Sequence, residues 1–130
     1  MAADRRPLLC AAALYNLSWG LTAVVTPQRL AQALGFDATG DGMGWRAAGV
    51  VVMAYAPAYL WAADHPRKAQ PILATALCGK VLAVSGWLAG AATRRFGLRT
   101  VLLPLLNDAV WIPSLVHLLL ETRERKGDCS

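Results

Sequence analysis

Residues 71–92 read PILATALCGKVLAVSGWLAGAA. These twenty-two residues hold one formal charge, Lys80, and show no alternation of apolar and polar positions. A helix rises about 1.5 Å per residue, so about 20 apolar residues cross a hydrocarbon core of roughly 30 Å. The stretch therefore reads as a membrane-spanning helix. C-terminal to it, residues 100–120 (TVLLPLLNDAVWIPSLVHLLL) repeat the pattern, again with a single charge, Asp108. N-terminal to it, the windows 47–63 and 7–25 contain no charge at all. A bilayer admits only helices or closed barrels, since its core offers no water to satisfy the backbone. Barrel strands alternate apolar and polar residues over about ten positions, and GVVVMA at 49–54 does not.

The four windows make up 79 of the 130 residues but hold only two of the 21 charged side chains. The whole chain is 56% hydrophobic and 16% charged, against about 45–50% and about 25% for soluble domains. A soluble helical bundle needs charged outer faces, and a disordered chain cannot be this apolar. The expectation is an all-α integral membrane protein: one membrane domain over 1–130, folded as an up-down four-helix bundle. Its spans lie at about 7–25, 45–63, 71–92 and 100–120, with a tail at 121–130.

The links support this division. Arg5-Arg6 precede an apolar run that reaches Val25, past the 7 to 15 residues of a signal-peptide core, so the first helix is expected to be retained. Thr26-Pro27 reads as a cap followed by a first-turn proline, and Gly35 as a stop. Leu30, Ala31 and Leu34 lie opposite Gln28, Arg29 and Gln32, which predicts a short interfacial helix over about 27–35. The loop DATGDGMG at 37–44 has carboxylates at 37 and 41 but lacks the later ligands of a calcium loop. Asp64-His65-Pro66 turns the chain, and 93–99, with three arginines, joins the last two spans. Pro104 and Pro113 predict a bent fourth helix with freed carbonyls.

An even number of spans puts both termini on one side. That side collects seven basic residues (Arg5, Arg6, Arg67, Lys68, Arg123, Arg125, Lys126) and the other five (Arg29, Arg46, Arg94, Arg95, Arg99). The positive-inside rule then predicts cytoplasmic termini. The net charge of +5 has a topological origin and implies no nucleic-acid partner. Cys10, Cys78 and Cys129 form no CxxC and read as unpaired packing residues. His65 and His117 have no further ligand cluster around them in sequence, so neither a metal nor a cofactor is expected.

Depth arithmetic isolates one polar layer. Asn16 lies about 13 Å along the first span and Lys80 about 13 Å along the third, both from the terminal side. Asp108 lies about 12 Å along the fourth from the opposite side, within some 5 Å of the height of Lys80 in a core of about 30 Å. Tyr55 reaches the same zone. A charge at the bilayer centre costs about 2.5 to 3.5 kcal/mol on insertion scales, so Lys80 and Asp108 are expected to face inward and to pair. Tyr15 and Trp19, Tyr55 and Tyr59, and Lys80, Val84 and Trp87 share helix faces; Asn107, Trp111 and Ser114 share another, with Asp108 at its edge. Gly86 and Gly90 form a GxxxG pair suited to close helix packing. Trp45 and Trp61 read as interface anchors.

Tyr15-Asn16 with Trp19, Gly79-Lys80, and Asn107-Asp108 with Trp111 and Pro113 together resemble a family of short, uncharacterised bacterial four-span membrane proteins. The resemblance implies the four-span fold and treats Asn16, Lys80, Asn107 and Asp108 as a unit. It implies no catalytic role.

The functional expectation is a protein that binds or moves a small lipophilic or amphipathic ligand. Its site would comprise the Lys80/Asp108 pair with Asn16, Tyr15, Trp19, Tyr55, Tyr59, Trp87, Asn107 and Trp111. The expected partners are the lipid bilayer, such a ligand, and further copies of the chain or a larger membrane complex. Two alternatives stand beside it. In a membrane-embedded enzyme acting on a lipid, isoprenoid or polyketide-like substrate, Asp108 and Lys80 would be the catalytic acid and base. In a structural subunit the pair would only fix which helix packs on which.

Overall fold

The fourth apolar window does not form one continuous helix. In the computed structural model, which describes residues 5–37 and 40–127, the chain runs α1 (Arg5–Val25), α2 (Pro27–Ala33), α3 (Met43–Asp64), α4 (Gln70–Ala92), α5 (Leu98–Ala109) and α6 (Ile112–Gly127). There are no strands among the described residues. α1, α3 and α4 are each long and apolar enough to cross a membrane, as is the stretch Leu98–Glu124 that joins α5 to α6. Four such segments are the signature of an integral membrane protein. The chain divides into two compact units, Met1–Ala69 and Gln70–Ser130.

In the first unit α1 packs antiparallel on α3. Leu9, Ala12, Ala13, Asn16, Gly20 and Ala23 form its buried stripe, a spacing of three and four that keeps one helix face on its neighbour. On α3 the buried set is Gly49, Ala56, Tyr59 and Ala62. The helices cross almost backbone to backbone. A Cβ on Gly20 would stand 2.6 Å from the Gly49 carbonyl oxygen, and one on Gly49 would stand 2.6 Å from that of Gly20 and 2.9 Å from Ala23 Cβ. Small residues let membrane helices gain dispersion contact at such crossings. At the other end Arg6 meets Asp64 at 3.4 Å with both side chains well exposed.

The small-residue contact is therefore Gly20 with Gly49. Of the GxxxG pair read from sequence, Gly86 has no atom within 4 Å of where a Cβ would sit, and Gly90 lies beneath the Phe96 ring.

α2 starts at Pro27, which occupies the first turn. Thr26 holds the N-cap position but does not cap with its side chain; its hydroxyl donates back to the Thr22 carbonyl at 3.0 Å, ending α1 instead. α2 closes two residues sooner than expected. Gly35 (φ 83°) donates its N–H to Gln32 O at 3.0 Å and Phe36 donates to Ala31 O at 2.9 Å, the Schellman arrangement that needs a left-handed residue. Ala38, Thr39 and Cys129, parts of the loop and tail read from sequence, lie outside the described residues. The Asp41 Oδ1 accepts the Met43 N–H at 3.0 Å at the start of α3. Trp45, half-buried at the start of α3, packs on Phe36 at 5.3 Å and Trp19 at 6.5 Å between ring centroids. Trp61 is exposed and stacks on His65 at 4.6 Å.

In the second unit α4 packs on α5 and α6. Pro57 and Pro104 lie inside α3 and α5 without interrupting them. Pro113 is where the fourth segment breaks: Val110 and Trp111 form a turn and α6 starts at Ile112, so Pro113 falls in a first helical turn, where its missing N–H is tolerated. The Trp111 N–H goes to Asp108 O at 3.3 Å, a three-residue reach that tightens the chain before α6. Beyond the apolar segment the helix continues to Gly127, so residues 121–127 are helical, where a tail was expected. Glu121, Arg123 and Glu124 are good helix formers, and the Thr122 hydroxyl donates to Leu118 O at 2.7 Å.

Hydroxyls on the long helices satisfy themselves. Thr22, Thr75, Ser85 and Thr93 each donate to the carbonyl four residues earlier at 2.8 Å, so these four hydroxyls present no unpaired donor to an apolar surrounding. Cys10 and Cys78 are free and exposed, so neither is a packing residue of the interior.

Candidate functional site

The two charges of the apolar segments meet. Lys80, at the middle of α4, places Nζ 2.8 Å from Asp108 Oδ1 in the last turn of α5. Their side chains are 17% and 13% exposed. A charge-assisted hydrogen bond of this length is stronger than a neutral one, and burial penalises each charge without the other. The second oxygen of Asp108 leaves this carboxylate further acceptor capacity.

The backbone around Asp108 is unusual for a membrane segment. Asp108 precedes Ala109, the last residue of α5. Pro113, four residues after Ala109, has no N–H to give to the Ala109 carbonyl, so the break leaves an acceptor that a continuous helix would satisfy. Such acceptors persist at membrane depth only against protein or a water-lined space. The half-buried Asn107 adjoins Asp108, and the half-buried Trp111 sits in the turn itself.

The other residues singled out from sequence group differently. Asn16, Tyr15, Trp19, Tyr55 and Tyr59 all belong to the first unit, and Lys80, Trp87, Asn107, Asp108 and Trp111 to the second. Asn16 is buried on the α1 stripe one turn before Gly20. The register that sets Gly20 against Gly49 carries Asn16 to the level of Met53, about 3 Å along the axis from Tyr55. Tyr55 and Tyr59 keep their rings 6.0 Å apart and tilted by 37°, with Tyr59 only 3% exposed. Trp19 turns toward Trp45 at the α2 end of its unit. Trp87 turns away from the level of Lys80 toward the end of α4, where its ring lies 6.2 Å from that of Phe96.

Sequence reasoning located the two charges but not the helix end beside them. The available signal was Pro113; with Pro104 nine residues earlier, the pattern alone could not say which proline interrupts the helix. A second feature went unread. The turn after α4 holds Arg94 at φ 54°, a conformation that L side chains other than Asn and Asp rarely adopt. The chain matches no protein-family model, no curated protein and no solved structure.

Proposed function

We propose that this is an up-down four-span protein of a bacterial cytoplasmic membrane, with both termini cytoplasmic, whose Lys80–Asp108 pair is the centre of a site that binds or moves a small lipophilic or amphipathic ligand. The observation that carries the reading is the 2.8 Å pair between helices that are otherwise apolar, placed beside the break between α5 and α6. Ionisable groups within membrane segments are costly and mark substrate or ion pathways by default. Interrupted spans mark binding sites in many transport proteins, because the freed backbone groups become ligands. Self-satisfied hydroxyls along the helices support the membrane crossing itself. Asn107 and Trp111 add an amide and an aromatic surface next to the pair, suited to an amphipathic molecule.

The test compares the wild type with Lys80→Met/Asp108→Leu, a replacement that removes both charges together. Detergent-purified protein is screened for ligand-induced shifts in thermal unfolding with a panel of lipophilic and amphipathic compounds. Ligands that stabilise the wild type should lose their effect on the double variant. A double variant that keeps every shift, and is as stable as the wild type or more so, would show the pair to be structural. A C-terminal green fluorescent protein fusion should fluoresce, and an alkaline phosphatase fusion at Ser130 should be inactive, if the termini are cytoplasmic.

A further inference from the structure

We propose that the turn joining α4 to α5 is a docking surface for anionic phospholipid headgroups, gripped by Arg94, Arg95 and Arg99. The inference rests on the membrane crossing argued above and not on the Lys80–Asp108 site. α4 is 23 residues long, about 34 Å of helix, so a turn that follows a complete crossing emerges at the level of lipid headgroups. All seven residues of 93–99, the turn and the first two residues of α5, are exposed. None of the three arginines forms an ion pair among the described residues, and between Asp64 and Asp108 the chain contains no acidic residue at all. Three guanidinium groups within six residues thus stand without a counter-ion, in a geometry suited to phosphate oxygens.

The backbone reinforces this reading. Arg94 donates its N–H to Ala91 O at 3.0 Å and Arg95 donates to Gly90 O at 3.1 Å, which makes Arg94 the left-handed residue of a Schellman motif. Glycine adopts that conformation without strain, as Gly35 does after α2. At the corresponding place here the chain carries arginine, a local conflict of the kind that proteins keep where a side chain serves a function. Phe96 then folds back over Gly90 and approaches Trp87. This aromatic pair, of the type that settles at membrane interfaces, fixes the depth of the arginines on either side of it. A fixed turn also avoids part of the ordering cost of a mobile basic loop.

Each basic side chain close to an anionic membrane surface is worth about fivefold in lipid preference. The test uses the full chain reconstituted in bilayers of brominated dioleoylphosphatidylcholine, whose bromines quench tryptophan fluorescence. Dioleoylphosphatidylglycerol should displace the brominated lipid and recover fluorescence up to about 100-fold more effectively than unbrominated phosphatidylcholine, about fivefold for each of the three arginines, and 0.5 M NaCl, on the order of the salt that screens exposed charges, should reduce this preference. Arg94→Gly, which keeps the turn, should lower the preference about fivefold while raising the thermal midpoint in pure phosphatidylcholine. The variant with Arg94→Gly, Arg95→Gln and Arg99→Gln should show no preference. Equal displacement by the two lipids in the wild type, or a preference surviving in the triple variant, overturns the inference. Millimolar inorganic phosphate that cancels the preference would assign the site to a soluble anion and overturn the lipid assignment. A chain that brominated lipid does not quench at all would overturn the membrane crossing itself, a failure distinct from loss of selectivity.

Discussion

Removing one member of the Lys80–Asp108 pair is the most informative perturbation of this fold. At 2.8 Å and an effective dielectric constant of about 20, the gross attraction between unit charges is about 6 kcal/mol. Removing each ion from water costs several kcal/mol, so the net value of the pair is small even though the attraction is large. Lys80→Met leaves the carboxylate of Asp108, 13% exposed, without a counter-charge. The side-chain exposures of the pair lie far from those of a surface bridge, whose loss costs about 0–1 kcal/mol, and near those of buried pairs, where losing one partner costs about 3–5 kcal/mol. The lower end of that range, about 3 kcal/mol, is expected for Lys80→Met. Asp108→Leu should cost a similar amount, because it leaves the ammonium of Lys80 without a counter-charge. The double variant Lys80→Met/Asp108→Leu should fall within about 1 kcal/mol of the wild type. Reversible unfolding in mixed micelles without ligand measures all four proteins, and the quantity of interest is the failure of additivity. If both single variants lose less than about 0.5 kcal/mol, or if the double variant loses their sum, the two charges are not a desolvated pair and the reasoning fails.

Other consequences can be checked separately. Gly20→Ala and Gly49→Ala insert a methyl 2.6 Å from a backbone oxygen and should each cost about 1–3 kcal/mol, whereas Gly86→Ala meets open space and should be neutral or stabilising by up to about 1 kcal/mol; thermal midpoints of the three, taken together, test the α1–α3 crossing. Pro113→Ala restores an N–H for the Ala109 carbonyl, so hydrogen exchange at residues 110–115 should slow, while Pro104→Ala should leave exchange there unchanged. Arg6→Ala should change stability by less than about 0.5 kcal/mol, since that pair is exposed at 72% and 59%; a larger loss in equilibrium unfolding would mean that Arg6 does more than meet Asp64.

The helices were legible because hydrocarbon thickness dictates their length, and a charge-free window of the right length has few other readings. The charges were legible for the complementary reason: in such a window Lys80 and Asp108 are exceptions. The crossing of α1 with α3 was not. Glycines at 20, 49, 86 and 90 look alike along the chain, and only the opposing backbone distinguishes Gly49, under the Gly20 carbonyl, from Gly86, beside nothing. The cap expected of Thr26 failed because its hydroxyl had a competing acceptor at Thr22 within the preceding helix, a choice that spacing does not reveal. The turn at Arg94 was missed because its charge was visible but its φ was not.

By itself the sequence determined an all-helical chain with four apolar segments of membrane length and confined its unusual chemistry to two side chains. Tertiary structure decided which helix faces meet, that Nζ of Lys80 touches Asp108 across 28 residues of chain, and that the fourth segment ends its first helix beside that carboxylate. The physical reason lies in the solvent. In water an apolar stripe identifies the buried face of a helix, but lipid is as apolar as a protein interior, so hydrophobicity fixes the length of each span and says little about which side of it packs.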